Sequence, residues 1–276
     1  MLGKLLKHEF RATGRSMLPV YGALVILSVL GNLSIRFVNV TDSTFLTVLF
    51  TVVIVLFVCG IIAACALTVV MLVLRFHRNL LKEQGYLMHT LPVSVHAQVW
   101  SKLIAALVWI VATFLVVWLV IMLTVLIQSG TDLGELLDGL PTWAEFRRML
   151  LEEGLSPGDL TVIGLECVLA GILGILVTIL HFYAAMTLGH IGAKNKVLLS
   201  IVIFIGISFV FNILNTSFGV VQVRFIEGNE LMLDTPAQLL GFMRETLGKG
   251  ILVQLVQGGL LYLATVLGLK RGLNLA

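Results

Sequence analysis

The sequence predicts an all-α polytopic membrane protein with six transmembrane helices, and three observations carry that prediction. Apolar residues make up 59% of the 276-residue chain and charged ones only 12%, with a mean hydropathy of +1.07. So few polar residues cannot cover a soluble globule, so lipid must solvate much of the surface. The charges are gathered between uninterrupted apolar runs, and each run is close to or above the roughly 20 helical residues that cross a core about 30 Å thick.

The runs cover 17–34, 45–74, 103–127, 160–188, 197–214 and 251–269, and the whole of 1–276 reads as one transmembrane domain. The second run has 30 residues. At 1.5 Å per residue that is about 45 Å of helix, so it is expected to tilt or to extend beyond the membrane as a stalk. The basic segment before the first run is followed by no small-residue cleavage site, so the first span is expected to be retained.

Lys and Arg placement sets the orientation. With the amino end inside, the cytoplasmic segments hold twelve basic residues against Glu9 and Glu83, whereas the outer segments hold six basic and twelve acidic ones. Every loop then obeys the positive-inside rule, with both termini cytoplasmic and the cell membrane as the expected location. The net charge of +3 sums two faces of opposite sign and gives no ground for a nucleic-acid partner; membrane lipid is the expected neighbour. Cys59, Cys65 and Cys167 all fall inside spans without metal-ligand spacing, and they read as small packing residues.

The opening MLGKLLKHEFRATGRSM spaces Leu2, Leu5, Leu6 and Phe10 on one helical side and Lys4, Lys7, Arg11 and Arg15 on another. An amphipathic helix over 1–16, lying in the cytoplasmic headgroup layer, is expected; a basic flank that only fixes topology would share the pattern. Between spans two and three, Arg75, Arg78 and Lys82 continue the helical period, Gly85 can end it, Pro92 blocks its resumption, and Ser94 can cap the next helix. The stretch reads as helix, irregular turn, helix.

Glu83, Gly85, Tyr86, Leu87, Leu91, Pro92 and Ser94 form a Glu-x-Gly, hydrophobic, Pro-x-Ser pattern in that loop. Together with six spans and the opening KLLKHEFRATGRS, the pattern resembles the permease subunits of ABC-type exporters of the type-2 class. The resemblance implies a cytoplasmic coupling helix around 83–91 that sits in a groove of a separate ABC ATP-binding subunit. It also implies a second permease copy or paralogue, because six spans form one half of a pathway. No G-x-x-x-x-G-K-[ST] occurs in the chain, so ATP and Mg are expected in the partner, and this chain is not expected to be an enzyme by itself.

Four polar residues in or near spans are candidates for a substrate pathway. Glu166 is an ionisable group inside span four, His181 lies deeper in that span, and Asn212 and Asn215 end span five in a polar cluster. Each has a bland alternative as a helix-packing hydrogen bonder. The outer loop from Gln128 to Asp159 is acidic, with an amphipathic surface helix expected over 142–153; the resemblance further implies a short re-entrant or surface helix before the last span, with 236–247 as its candidate. Gly60 with Ala64 and Ala170 with Gly174 space small residues four apart, which permits close helix contact.

Rival classes are weaker. An intramembrane protease would need paired His or carboxylate ligands, and no such metal-ligand spacing occurs within one helix. An ion-gradient-driven secondary transporter would show an internal repeat or broken helices, neither of which is clear in the sequence. A non-transporting membrane signalling module would use the same loop.

Overall fold

The computed structural model describes residues 2–38, 43–81, 94–129, 142–152, 156–191, 195–217 and 236–271. These residues are helical almost throughout: α1 (Leu2–Val38), α2 (Thr44–Phe76), a π-helical turn (His77–Leu81), α3 (Val95–Ser129), α4 (Trp143–Glu152), α5 (Pro157–Gly189), α6 (Lys196–Ser217) and α7 (Pro236–Arg271). Six of the helices, all but α4, are long and apolar enough to cross a membrane. Large apolar side chains such as Leu56, Ile62, Leu119, Leu165, Ile201 and Val256 are exposed along them, as expected where lipid is the solvent.

Two expected boundaries differ. The segment expected as an interfacial helix over 1–16 is continuous with the first span: from Leu2 onward α1 runs unbroken for 37 residues with Pro19 inside. The buried side of this stretch is Glu9, Thr13 and Met17, flanked by half-buried Leu5, Leu6 and Phe10. Its face therefore belongs to its own bundle. Likewise 236–247 is the first part of the 36-residue α7 and not a detached surface helix. The helix expected over 142–153 is α4, opened by a capping box: the Thr142 amide and hydroxyl donate to Glu145 Oε2 at 2.8 and 2.9 Å, and the Glu145 amide donates back to Thr142 Oγ1 at 3.4 Å.

The chain divides into two compact units, Met1–Phe76 with His96–Leu140 and His77–Val95 with Pro141–Ala276. In the first unit, α1 and α2 are antiparallel: Gly31 faces Phe57, Thr68 meets Met17 and Arg75 meets Glu9. Against α3 the pairs Glu9–Lys102, Tyr21–Thr113 and Asn32–Thr124 ascend together, so α1 and α3 run parallel. Leu24, Phe57, Ala64 and Val120 form the apolar core between the three. Gly60 serves this packing, since a Cβ there would lie 2.9 Å from Leu27 Cδ1. Hydroxyls thread the same interior: Tyr21 and Thr113 are 2.7 Å apart, and Thr113 and Thr68 are 3.0 Å apart. Such bonds in lipid contribute roughly 0.6 kcal/mol each and fix rotation about the helix axes.

The second unit repeats this plan with α5, α6 and α7. Gly174 faces Gln254, Val177 faces Gly258 and Thr187 faces Gly268, so α5 and α7 run parallel in constant register. Helix α6 is antiparallel to α5, joined through Gly189 against Ser200 and through His181 with Phe204. A side chain at Gly189 would place its Cβ 2.7 Å from the Ser200 Cα and amide nitrogen. Only glycine admits that approach. Ser156 caps α5 by accepting from the Gly158 amide at 3.2 Å, with Pro157 in the first turn.

Candidate functional site

Two polar arrangements stand out from the apolar interior. The first lies in the first unit, where α1, α2 and α3 each supply one charge. Glu9 Oε1 accepts from Lys102 Nζ at 2.7 Å, and its Oε2 pairs with an Arg75 guanidinium nitrogen at 3.2 Å. The Lys102 side chain is 2% exposed and that of Glu9 11%. A buried charge requires a partner, and here one carboxylate answers two cations. Thr13, one turn on from Glu9, hydrogen-bonds the Glu9 carbonyl at 2.8 Å and extends the buried polar face. Phe10 and Tyr21 approach the Trp109 ring of α3, with centroids 6.5 and 6.1 Å apart.

This cluster joins the helices that flank 82–93. Arg75 sits in the last turn of α2 and Lys102 in the second turn of α3. Sequence reasoning counted Glu9 only as an acidic residue on the basic side of the membrane. The signal that could have singled it out is its isolation: one carboxylate among Lys4, Lys7, Arg11 and Arg15, four residues before Thr13 and eight before Met17.

The second arrangement is a recess of about 340 Å³ in the second unit. Helix α5 contributes Val177, Thr178, His181 and Phe182, spaced to share one face; α6 contributes Phe204, Ser208, Phe211, Asn212 and Asn215; and α7 contributes Gln257. His181 Nε2 lies 3.1 Å from the Phe204 carbonyl, which accepts, so this nitrogen carries the proton; Ser208 Oγ is 3.4 Å away. Its ring stacks on Phe204 with centroids 4.4 Å apart, and Phe182 stacks on Phe204 at 4.8 Å. Gln257, 5% exposed, donates to Asn215 Oδ1 at 2.8 Å. The recess thus combines aromatic rings with neutral amides and hydroxyls.

Three of the four residues expected in a pathway, His181, Asn212 and Asn215, come together here. Glu166 does not line the recess. It lies nine residues into α5 with Oε2 buried and no hydrogen-bond partner among the described residues. Ser208, Gln257 and Thr178 were missed, because isolated polar residues in apolar runs carry no periodic signal. Glu83, Gly85, Tyr86, Leu87, Leu91 and Pro92 lie outside the described residues; Ser94 directly precedes α3. In the second unit, His77 of the π-helical turn meets His190 at the end of α5 edge to face, 5.0 Å between ring centroids. Among the described residues no group of three or more His, Cys, Asp or Glu could hold a metal ion.

Helix α4 carries a perturbed group. Hydrogen bonds from the Thr142 amide and hydroxyl hold the Glu145 carboxyl below its ordinary value. No protein-family model, curated protein sequence or solved structure matches this chain.

Proposed function

We propose that this chain is the permease subunit of an ATP-driven ABC exporter of the type-2 class, working in the cell membrane as a dimer with a separate ATP-binding subunit. The observation that carries the reading is the Glu9–Arg75–Lys102 cluster, which ties together the two helices that flank in sequence the segment resembling a coupling helix. A loop that transmits force must be fixed to the spans it moves. Here one buried carboxylate ties both flanking helices to α1, so a push at 82–93 reaches three spans together. The recess of the second unit supplies a place for cargo, with His181, Asn212 and Asn215 as its contacts. Glu83, Gly85, Tyr86, Leu87, Leu91, Pro92 and Ser94 form the contact with the ATP-binding partner.

A gradient-driven secondary transporter is the second reading, and one observation favours it. Each compact unit contains three long helices on the same plan, the first and third parallel and in contact. Internal repeats are a hallmark of such carriers.

The deciding experiment is to tag the chain in its native cell, extract it gently and identify what co-purifies in stoichiometric amount. Recovery of a soluble ATP-binding subunit, with ATPase activity altered by substitutions over 83–91, supports the exporter. Recovery of the chain with no ATPase, together with uptake into vesicles driven by an imposed ion gradient, would replace it with the carrier.

A further inference from the structure

The recess of the second unit has a chemical character that narrows its occupant. None of its ten lining residues is Asp, Glu, Lys or Arg. A charged group entering it would leave water without a counter-ion, which is strongly unfavourable in a low-dielectric site. The occupant's buried part is therefore uncharged.

The polar lining is rich in carboxamides. The Asn215–Gln257 bond engages Asn215 Oδ1 and one Gln257 N–H, leaving the Asn215 NH₂ group and Gln257 Oε1 for other partners. Asn212 is exposed on α6, five residues before the end of that helix. An exposed amide lining the recess is open to water or to a ligand group. Each carboxamide offers a donor and an acceptor side by side, matching adjacent hydroxyls that both give and take hydrogen bonds. Phe182, Phe204 and Phe211 line the same recess, apolar surfaces against which a ring or alkyl segment can pack. At about 340 Å³ the recess lies at the small end of ligand sites, room for a single head group and not for a folded peptide.

We propose that this recess binds the uncharged, polyhydroxylated head of an amphiphile, such as a glycoside or polyol, with the alkyl portion left in the lipid. The proposal rests on reading the recess as the cargo site, and it deepens that reading by naming the cargo's chemistry. Asn212, Asn215 and Gln257 hold the hydroxyls, and the phenylalanine rings take the apolar face of the head. The same chemistry has two sources, a glycolipid resident in the bilayer or an amphiphile in transit.

The test uses the full chain purified in an uncharged polyoxyethylene detergent, without any ATP-binding partner, so that it stands apart from the exporter question. Octyl glucoside binding is followed by saturation-transfer nuclear magnetic resonance, with octyl sulfate and octyltrimethylammonium as competitors of equal chain length. Glucoside binding that neither charged competitor displaces is expected. Losing two amide contacts in Asn212→Leu/Asn215→Leu should weaken it roughly tenfold. Stoichiometric glycolipid in extracts of the purified chain would assign the site to a resident lipid, and its absence to a transported one. Displacement by octyl sulfate at equal concentration, or unchanged glucoside binding in a folded double variant, would overturn the proposal. If that variant does not fold, competition on the unaltered chain decides alone.

Discussion

Glu9 and Lys102, 93 positions apart in sequence, are joined by a 2.7 Å hydrogen-bonded ion pair, with Arg75 on the other oxygen of the same carboxylate. One acidic side chain thereby holds the two helices that flank the 82–93 segment. Removing it should be costly, since a buried pair broken from one side leaves an uncompensated charge worth about 3–5 kcal/mol. Glu9→Gln is expected to lower the thermal midpoint of the detergent-solubilised protein clearly, and Glu9→Gln with Lys102→Met to recover much of that loss. Equal midpoints for the unaltered and Glu9→Gln proteins would remove the cluster as an anchor.

The same anchoring gives an expectation for coupling. Charge reversal at Glu83 with bulk at Gly85 should leave insertion and folding intact while ATPase activity of the assembled complex no longer responds to transport. The measurement is ATP turnover beside substrate movement in proteoliposomes. Normal coupling in Glu83→Lys/Gly85→Leu would displace the partner contact from this loop.

Gly189 lets α5 and α6 approach at Ser200. A methyl group there would sit 2.7 Å from backbone atoms that cannot rotate away, so the helices must part. Overpacking of this kind costs typically 1–3 kcal/mol. Gly189→Ala should therefore destabilise the protein by about that amount, whereas Gly206→Ala, at a site with open space, should not. Unfolding midpoints of the two variants make the comparison.

The capping box of α4 predicts a pH effect of definite sign. The Thr142 hydrogen bonds depress the folded-state pKa of Glu145 below the ordinary 4.5. The stabilisation of the helix start is therefore present above 4.5 and is lost as pH falls through the lower folded value. Hydrogen exchange of the Thr142 amide, which donates to the Glu145 carboxylate, should accelerate, relative to neighbouring amides, as pH drops below about 4.5, the ordinary value. Glu145→Gln keeps the capping geometry but cannot titrate, and it should abolish that dependence.

The recess shows where reading from sequence succeeds and where it stops. His181, Asn212 and Asn215 were legible because a polar side chain within an apolar run is expensive in lipid and must have a purpose. Ser208 and Gln257 obey the same rule. They became recognisable only once α5, α6 and α7 were packed, since their spacing along the chain says nothing about their meeting. Glu9 was hidden for a different reason. A carboxylate in a basic amphipathic segment resembles solvated surface, and its burial depends on two cations from distant helices.

The sequence alone determined the membrane as solvent and the number and approximate limits of the spans. Those properties are local sums over 20 or so residues, and the transfer free energy of each segment decides them with little help from its neighbours. Tertiary structure decided which faces meet. It extended α1 and α7 beyond their expected spans, paired α1 with α3 and α5 with α7 in fixed register, and gathered polar residues far apart in sequence into one cluster and one recess. In lipid every face of such helices is apolar enough to be solvated. Small residues, hydrogen bonds and paired charges then select the partner, and these act only at contact.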